Sequence, residues 1–197
     1  MSNFNMRLSI LIFLLFFSFS PIAYAQIEIG SPLPFEEQIT LAEQGNVNAQ
    51  INVGDMFAFG ISVVKDYQTA FDWFKKAANQ GDALGEYKTG NMYHYGLGVT
   101  QDYEEASIWY QKSANQGNAN AQVNLGVLYQ NGSGVKQDLK QAYRLYKKAA
   151  KQKHALGFRN LGDMYLKGNG VKRNRRKALK MFSKAREYEA ATRGDTE

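Results

Sequence analysis

The sequence predicts an all-α fold, an α-solenoid of stacked αα-hairpins, on three observations. Marked positions recur every 36 residues, four times without a gap. Each unit carries two stretches whose apolar residues fall at steps of three and four, the spacing of one helical face. A short turn containing glycine joins the two stretches. A strict period of roughly 20–50 residues is the signature of stacked repeats, each too small to bury both its faces alone.

The elements follow in chain order. Residues 1–25 read as an export signal: Arg7 is the positive start, Leu8 to Phe19 the apolar run, and Ala23-Tyr24-Ala25 the cleavage site, which leaves Gln26 as the mature N-terminus. The apolar run is too short for a bilayer that demands ~20 residues. Residues 26–44 are a lead-in, with Phe35 to Gln44 as a half-hairpin that caps the first repeat. The repeats are 45–80, 81–116, 117–152 and 153–188, and 189–197 is a tail. Gly45, Gly81 and Gly117 open three units and Lys153 opens the fourth. Inside them recur Gly54, Gly90, Gly126 and Gly162; Phe57, Tyr93, Tyr129 and Tyr165; Gly60, Gly96, Gly132 and Gly168; and Ala70, Ala106, Ala142 and Ala178.

The second unit illustrates the local logic. Asp82 is placed to cap a helix with Gly85, Thr89, Gly90, Met92 and Tyr93 inward. Gly96 ends it, where a left-handed residue is wanted. Asp102 then caps a second helix with Tyr103, Ala106, Trp109, Tyr110, Ser113 and Ala114 as its buried stripe. Small residues at 90 and 106 allow close approach, and the aromatics fill the space between. The fourth unit departs most: Lys153 for glycine, Asn174 for the capping aspartate, Arg175 for an aromatic and Arg186 for alanine. A terminal repeat with a polar outer face is expected of a cap.

Charge is distributed unevenly along this order. The whole chain is +6, but residues 26–44 carry −4, the four repeats 0, −3, +5 and +9, and the tail −2. An acidic first half followed by a basic second half can orient encounter with a polarised or anionic partner. The chain has no cysteine, so neither a disulfide framework nor a lipidated cysteine is open to it.

The run Ala121 to Tyr129, then Gly132-Ser-Gly-Val135, Asp138, Ala142 and Tyr146 to Ala150, closely resembles the Sel1-like repeat, a tetratricopeptide-related hairpin module. The resemblance implies a right-handed superhelix and a scaffold or adaptor role. It implies a bacterial envelope setting, where relatives include regulators, secretion-linked factors, host-contact proteins and immunity proteins against toxic effectors. It further implies that the first helix of each hairpin lines a concave face. The exposed positions there would be Asn48, Asp55 and Phe59; Leu84, Tyr87, Asn91, His94 and Tyr95; Asn120, Val127, Gln130 and Asn131; and Arg159, Asp163 and Lys167. Tyr87, His94 and Tyr95 are the expected anchors, because aromatics concentrate at binding hot spots.

No constellation suits catalysis. The Gly-x-Gly loops at 96/98, 132/134 and 168/170 follow no strand and recur at the repeat period, so they read as turns rather than phosphate cradles. Ser133 lacks the strand-turn-helix setting of a nucleophile elbow. His94 and His154 have no ligand-spaced company, so no metal is expected, and no cofactor is implied. Adjacent Glu104 and Glu105 point in different directions on a helix.

The sharpest surface feature is the basic stretch Lys172, Arg173, Arg175, Arg176 and Lys177, with Lys180 and Lys184 beyond. It reads as a solvated cap or as a contact for an acidic protein or anionic envelope surface. Nucleic acid is not an expected partner, since no aromatic stacking platform is interleaved. The expectation is therefore a non-enzymatic periplasmic protein, with full secretion as the alternative address. It would bind an envelope protein through its concave face. The alternatives are an immunity or inhibitor protein that neutralises a secreted toxin effector such as a lipase or wall hydrolase, and a secreted host-contact factor.

Overall fold

The computed structural model describes residues 34–193, so the export signal lies outside the described residues. Among these residues every regular element is an α-helix. Helix α1 (Phe35–Glu43) precedes four hairpins. These are α2 (Val47–Phe59) with α3 (Tyr67–Asn79), α4 (Ala83–Tyr95) with α5 (Tyr103–Asn115), α6 (Ala119–Asn131) with α7 (Leu139–Lys151), and α8 (Ala155–Lys167) with α9 (Arg175–Arg193). Each helix packs on its neighbours in chain order, as a solenoid requires. The half-hairpin expected at Phe35 is α1, whose Ala42 is buried in a cluster with Ala49, Val53 and Trp73. Helix α9 continues through Glu189 to Arg193, into the segment set apart above as a tail.

The caps explain where the helices begin. Asp66, Asp102 and Asp138 each accept from two backbone N–H groups of the first turns of α3, α5 and α7. Asn174 does the same work for α9, its side chain accepting from Lys177 N at 2.9 Å. Asn46, Asp82 and Asn118 cap the first helices α2, α4 and α6. His154 stands at that position before α8 and makes no side-chain cap bond. The fourth repeat therefore starts on a weaker signal, by the ~1 kcal/mol that a good cap contributes.

Within each hairpin a helical glycine faces an aromatic ring. A Cβ at Gly90 would lie 2.6 Å from Tyr110 Cδ1, and Gly54, Gly126 and Gly162 face Phe74, Tyr146 and Phe182 in the same way. Tyr110 and Tyr146 are fully buried. Of the stripe expected on α5, Ala106, Trp109, Tyr110, Ser113 and Ala114 are buried. Tyr103 is not; it lies at the helix start, exposed, with the His94 ring 5.2 Å away edge-on.

Two features that periodicity alone does not reveal hold the stack, one within hairpins and one between them. The first is a half-buried side-chain rung that closes each of the first three hairpins. Gln80 Nε2 donates to Gln50 Oε1 at 2.8 Å, Gln116 Nε2 to Glu86 Oε2 at 2.8 Å, and Gln152 Nε2 to Gln122 Oε1 at 3.0 Å. In the fourth repeat the two positions hold Phe158 and Tyr188, whose rings stack at 5.4 Å. The second is the Gly-x-Gly loop, which is indeed a turn but also a stacking contact. A Cβ at Gly134 would collide with the Tyr103 carbonyl of the preceding repeat, and Gly98 and Gly170 abut Tyr67 and Leu139 likewise.

The two non-glycine residues with positive φ among the described residues follow from these contacts. Ser62, at φ 62°, stands where later repeats have the second loop glycine, and among the described residues α1 alone precedes its repeat. Lys153, at φ 64°, stands where Gly45, Gly81 and Gly117 occur, and a Cβ at any of those three meets nothing within 4 Å. A side chain fits there at a backbone cost alone.

Candidate binding surface

The first helices α2, α4, α6 and α8 form one row, bridged side chain to side chain. Asp55, Asn91, Val127 and Asp163 occupy the same place in successive repeats. Lys88 Nζ reaches back to Asp55 Oδ1 at 2.7 Å. Asn124 Nδ2 reaches back to Asn91 Oδ1 at 3.1 Å, and Tyr110 Oη donates to the same oxygen at 2.7 Å. Val127 cannot accept, so the ladder stops after two rungs.

Seven of the twelve residues expected as partner contacts are half-buried: Asp55, Tyr87, Asn91, His94, Val127, Gln130 and Asp163. Several serve the fold rather than wait for a ligand. Asn91 is bound as described, and Gln130 Oε1 accepts from Tyr146 Oη at 3.2 Å. The Tyr87 ring leans on Tyr110 at 6.2 Å. His94 packs 4.5 Å from the Tyr95 ring, and its buried Nδ1 has no partner among the described residues. Burial holds the His94 imidazole below its ordinary value, and does the same to His154. His154 Nε2 is 2.9 Å from Asn120 Oδ1. Burial also pushes up the phenols of Tyr110 and Tyr146 and the carboxyl of Glu86. No cluster of three or more His, Cys, Asp or Glu side chains able to hold a metal occurs among the described residues.

The other five are exposed: Phe59, Tyr95, Asn131, Arg159 and Lys167. Asn48, Leu84 and Asn120 are exposed too. Arg159 is engaged with Glu189 at 2.6 Å. Phe59 and Tyr95 stand out at 70% and 60% exposure. They share one groove of about 220 Å³ between α2 and α4, with Asp55 and Asn91 on its wall and Phe74 and Met92 beneath. The row thus brings together four of the expected residues in one concavity: Asp55, Phe59, Asn91 and Tyr95. Those on α6 and α8 do not join them.

Lys172, Arg173, Arg175, Arg176 and Lys177 are all exposed. Of these five, Lys177 lines a cleft of about 560 Å³ between α7 and α9 that also takes in Lys180 and Lys184. Lys147, Lys151 and Lys153 complete its rim; in sequence Lys153 reads as a departure from the junction glycine, and none of the three reads as part of the basic surface. The signal that could have found them is the loss of the Gln pair at 158 and 188, which opens an aromatic floor beside them.

Comparison with known proteins follows this geometry. The model of the Sel1 repeat matches residues 47–82, 83–118, 119–154 and 159–187. Among solved structures, c5321, a protective antigen present in uropathogenic Escherichia coli strains and displaying an SLR fold, is 40% identical with a TM-score of 0.77. The match covers 79% of this chain and 33% of that one. A Sel1 repeat protein from Oxalobacter formigenes is 30% identical with a TM-score of 0.76, over 80% of this chain and 63% of that one. The chain therefore spans less than two thirds of the length of either. No curated protein sequence matches it. Four repeat matches that take in well over half of the residues, on hairpins whose caps and glycines recur as described, place the chain in the Sel1 repeat family.

Proposed function

We propose that this chain is a non-catalytic adaptor of the bacterial envelope that holds a protein partner against its row of first helices. The observation that carries the reading is the groove between α2 and α4. Phe59 and Tyr95 flank it, the two most exposed aromatic rings among the described residues. Exposed aromatic anchors beside a ready-made concavity are the usual centre of a protein interface. Asp55, Lys88 and Asn91 wall the groove and are tied to one another or to the core, so the surface is held in shape before a partner arrives. The export signal read at residues 1–25 supports the envelope address.

The alternative of a secreted host-contact factor is favoured by one finding, the 40% identity to a protective antigen of uropathogenic Escherichia coli. The identity of the partner separates the readings. An envelope protein of the same cell fits the adaptor, a host surface protein the contact factor, and a lipase or wall hydrolase the immunity protein. The test is a pull-down with the full chain beside a Phe59→Ala/Tyr95→Ala variant. These side chains are exposed, so the variant should keep its helical signal and melting temperature and lose the captured protein. Capture of the same protein by the variant would contradict the groove assignment.

A further inference from the structure

The cleft between the second helices α7 and α9 is floored by α8 and shares no lining residue with the groove just discussed. Its rim carries Lys147, Lys151, Lys153, Lys177, Lys180 and Lys184, and no carboxylate lines it. Its floor is apolar: Phe158 and Leu161 are buried there, and Tyr143, Tyr165 and Tyr188 are half-buried. The Tyr143 and Tyr165 hydroxyls are 2.9 Å apart, and that shared bond pushes the Tyr143 phenol up to about 12. Three of the lysines already lean over the rings. Lys147 Nζ is 6.0 Å from the Tyr143 ring centre, Lys177 is 5.4 Å from Tyr165, and Lys184 is 5.4 Å from Phe158.

The repeat period shows what is missing from this place. Met181 stands two repeats on from Trp109. Between the first and second hairpins, the corresponding space is filled by the Trp109 indole. It is 7% exposed, with Lys112 Nζ at 3.9 Å from its ring and Lys75 Nζ at 5.4 Å. Trp73 holds the same position one repeat earlier, with Lys76 at 3.6 Å. The third repeat has the buried Leu145 at this position and the last repeat Met181, where the cavity appears, with cations added around it: relative to the second repeat, Lys180 stands for Ile108, Lys177 for Glu105 and Lys153 for Gly117. A cap needs only a polar outer face. It does not need an open cleft ringed by lysines over aromatic walls.

We propose that this cleft binds an acidic segment of a partner protein that inserts an aromatic side chain where the first two repeats carry their own tryptophan. The inserted ring takes the place of the Trp109 indole against Met181, Phe158 and Leu161. Carboxylates on either side of it meet the lysine rim, which supplies orientation and encounter rate. Lysine ammonium groups over an aromatic face are attracted to it, so the same cations serve both the ring and the acids.

The probe is a capped pentapeptide, Asp-Glu-Trp-Glu-Asp, titrated calorimetrically into the full chain at low salt. It should bind, weaken steeply as salt rises, and lose at least about tenfold in affinity when its tryptophan is replaced by alanine. The Met181→Trp variant refills the space with the residue that α3 and α5 already hold there, so it should melt like the parent and lose binding by a similar factor. Lys177→Glu/Lys180→Glu changes two exposed side chains and should also lose binding, which keeps the test decisive should Met181→Trp fold poorly. No binding of the pentapeptide would overturn the proposal. So would equal affinity for the alanine peptide, or an affinity unchanged in the Lys177→Glu/Lys180→Glu variant. Binding of phosphatidylglycerol vesicles with none of the pentapeptide would overturn it in favour of an anionic lipid surface.

Discussion

Two glycines with the same kind of backbone and opposite surroundings allow the stacking argument to be tested quantitatively. Gly117 has φ 97° and a Cβ there would meet nothing within 4 Å; Gly134 has φ 65° and a Cβ there would overlap the Tyr103 carbonyl and crowd Glu104 N. Alanine at either site suffers the left-handed penalty of roughly 1–2 kcal/mol. It recovers about 0.4–1 kcal/mol by restricting the unfolded chain. Gly117→Ala should therefore cost about 1 kcal/mol. At 134 the overlap comes on top. The Tyr103 carbonyl cannot swing away, because Asp102 holds the N–H groups of Glu104 and Glu105 at 2.9 and 3.0 Å. Overpacking of this kind costs roughly 1–3 kcal/mol, so Gly134→Ala should cost about 2–4 kcal/mol. Urea unfolding followed by far-UV circular dichroism resolves that gap, and the melting temperatures should differ by about 2–4 °C for each kcal/mol. Equal costs at the two sites would refute the idea that the second loop glycine exists for the contact between repeats. The converse change, Lys153→Gly, should stabilise by up to about 1 kcal/mol, since φ 64° is retained and strain is relieved.

Further outcomes are expected. Trp109→Ala should cost roughly 3–5 kcal/mol in the same unfolding assay, because the indole is 7% exposed and two lysines cover it. Glu86→Gln should stabilise the protein at neutral pH, since Gln50 and Gln122 fill the same rung as amides. Burial raises the Glu86 carboxyl, so its folded form holds a proton more tightly than its unfolded form. Stability from that site is present below the ordinary carboxylate range and is lost as pH rises through the raised value. The advantage of the Gln variant should therefore vanish in acid. For His94 and His154, burial lowers the folded value, so stability should fall as pH drops through the ordinary imidazole value near 6.5, and a melting series across that range checks it.

The hairpins were legible because each local signal agreed with the period. Asp82, Asp102 and Gly96 cap what their spacing says they cap, and Gly90 faces a ring as its size implies. Exposure along the first helices was less legible. Asn91, Gln130 and Asp55 look like solvent-facing polar residues, but their partners Tyr110, Tyr146 and Lys88 come from other helices, at separations that no helical wheel displays. Tyr87 misled for the same reason, its ring lying against Tyr110 across the hairpin. The C-terminal basic stretch was visible as charge, but the cleft was not. It depends on α7 lysines meeting α9 lysines over Phe158, a pairing set by the stacking of repeats and by what Met181 fails to fill.

The central claim, that a partner protein sits on the row of first helices, is tested most directly by site-specific photocrosslinking in cells. A photoreactive amino acid would replace Tyr95 in the full chain, and in a second strain Asp72, exposed on α3 outside the groove. The account predicts a discrete adduct with one protein from position 95, none from position 72, and loss of the adduct when Phe59 is changed to alanine. The same adduct from both positions, or one from 95 that is indifferent to Phe59→Ala, would contradict it.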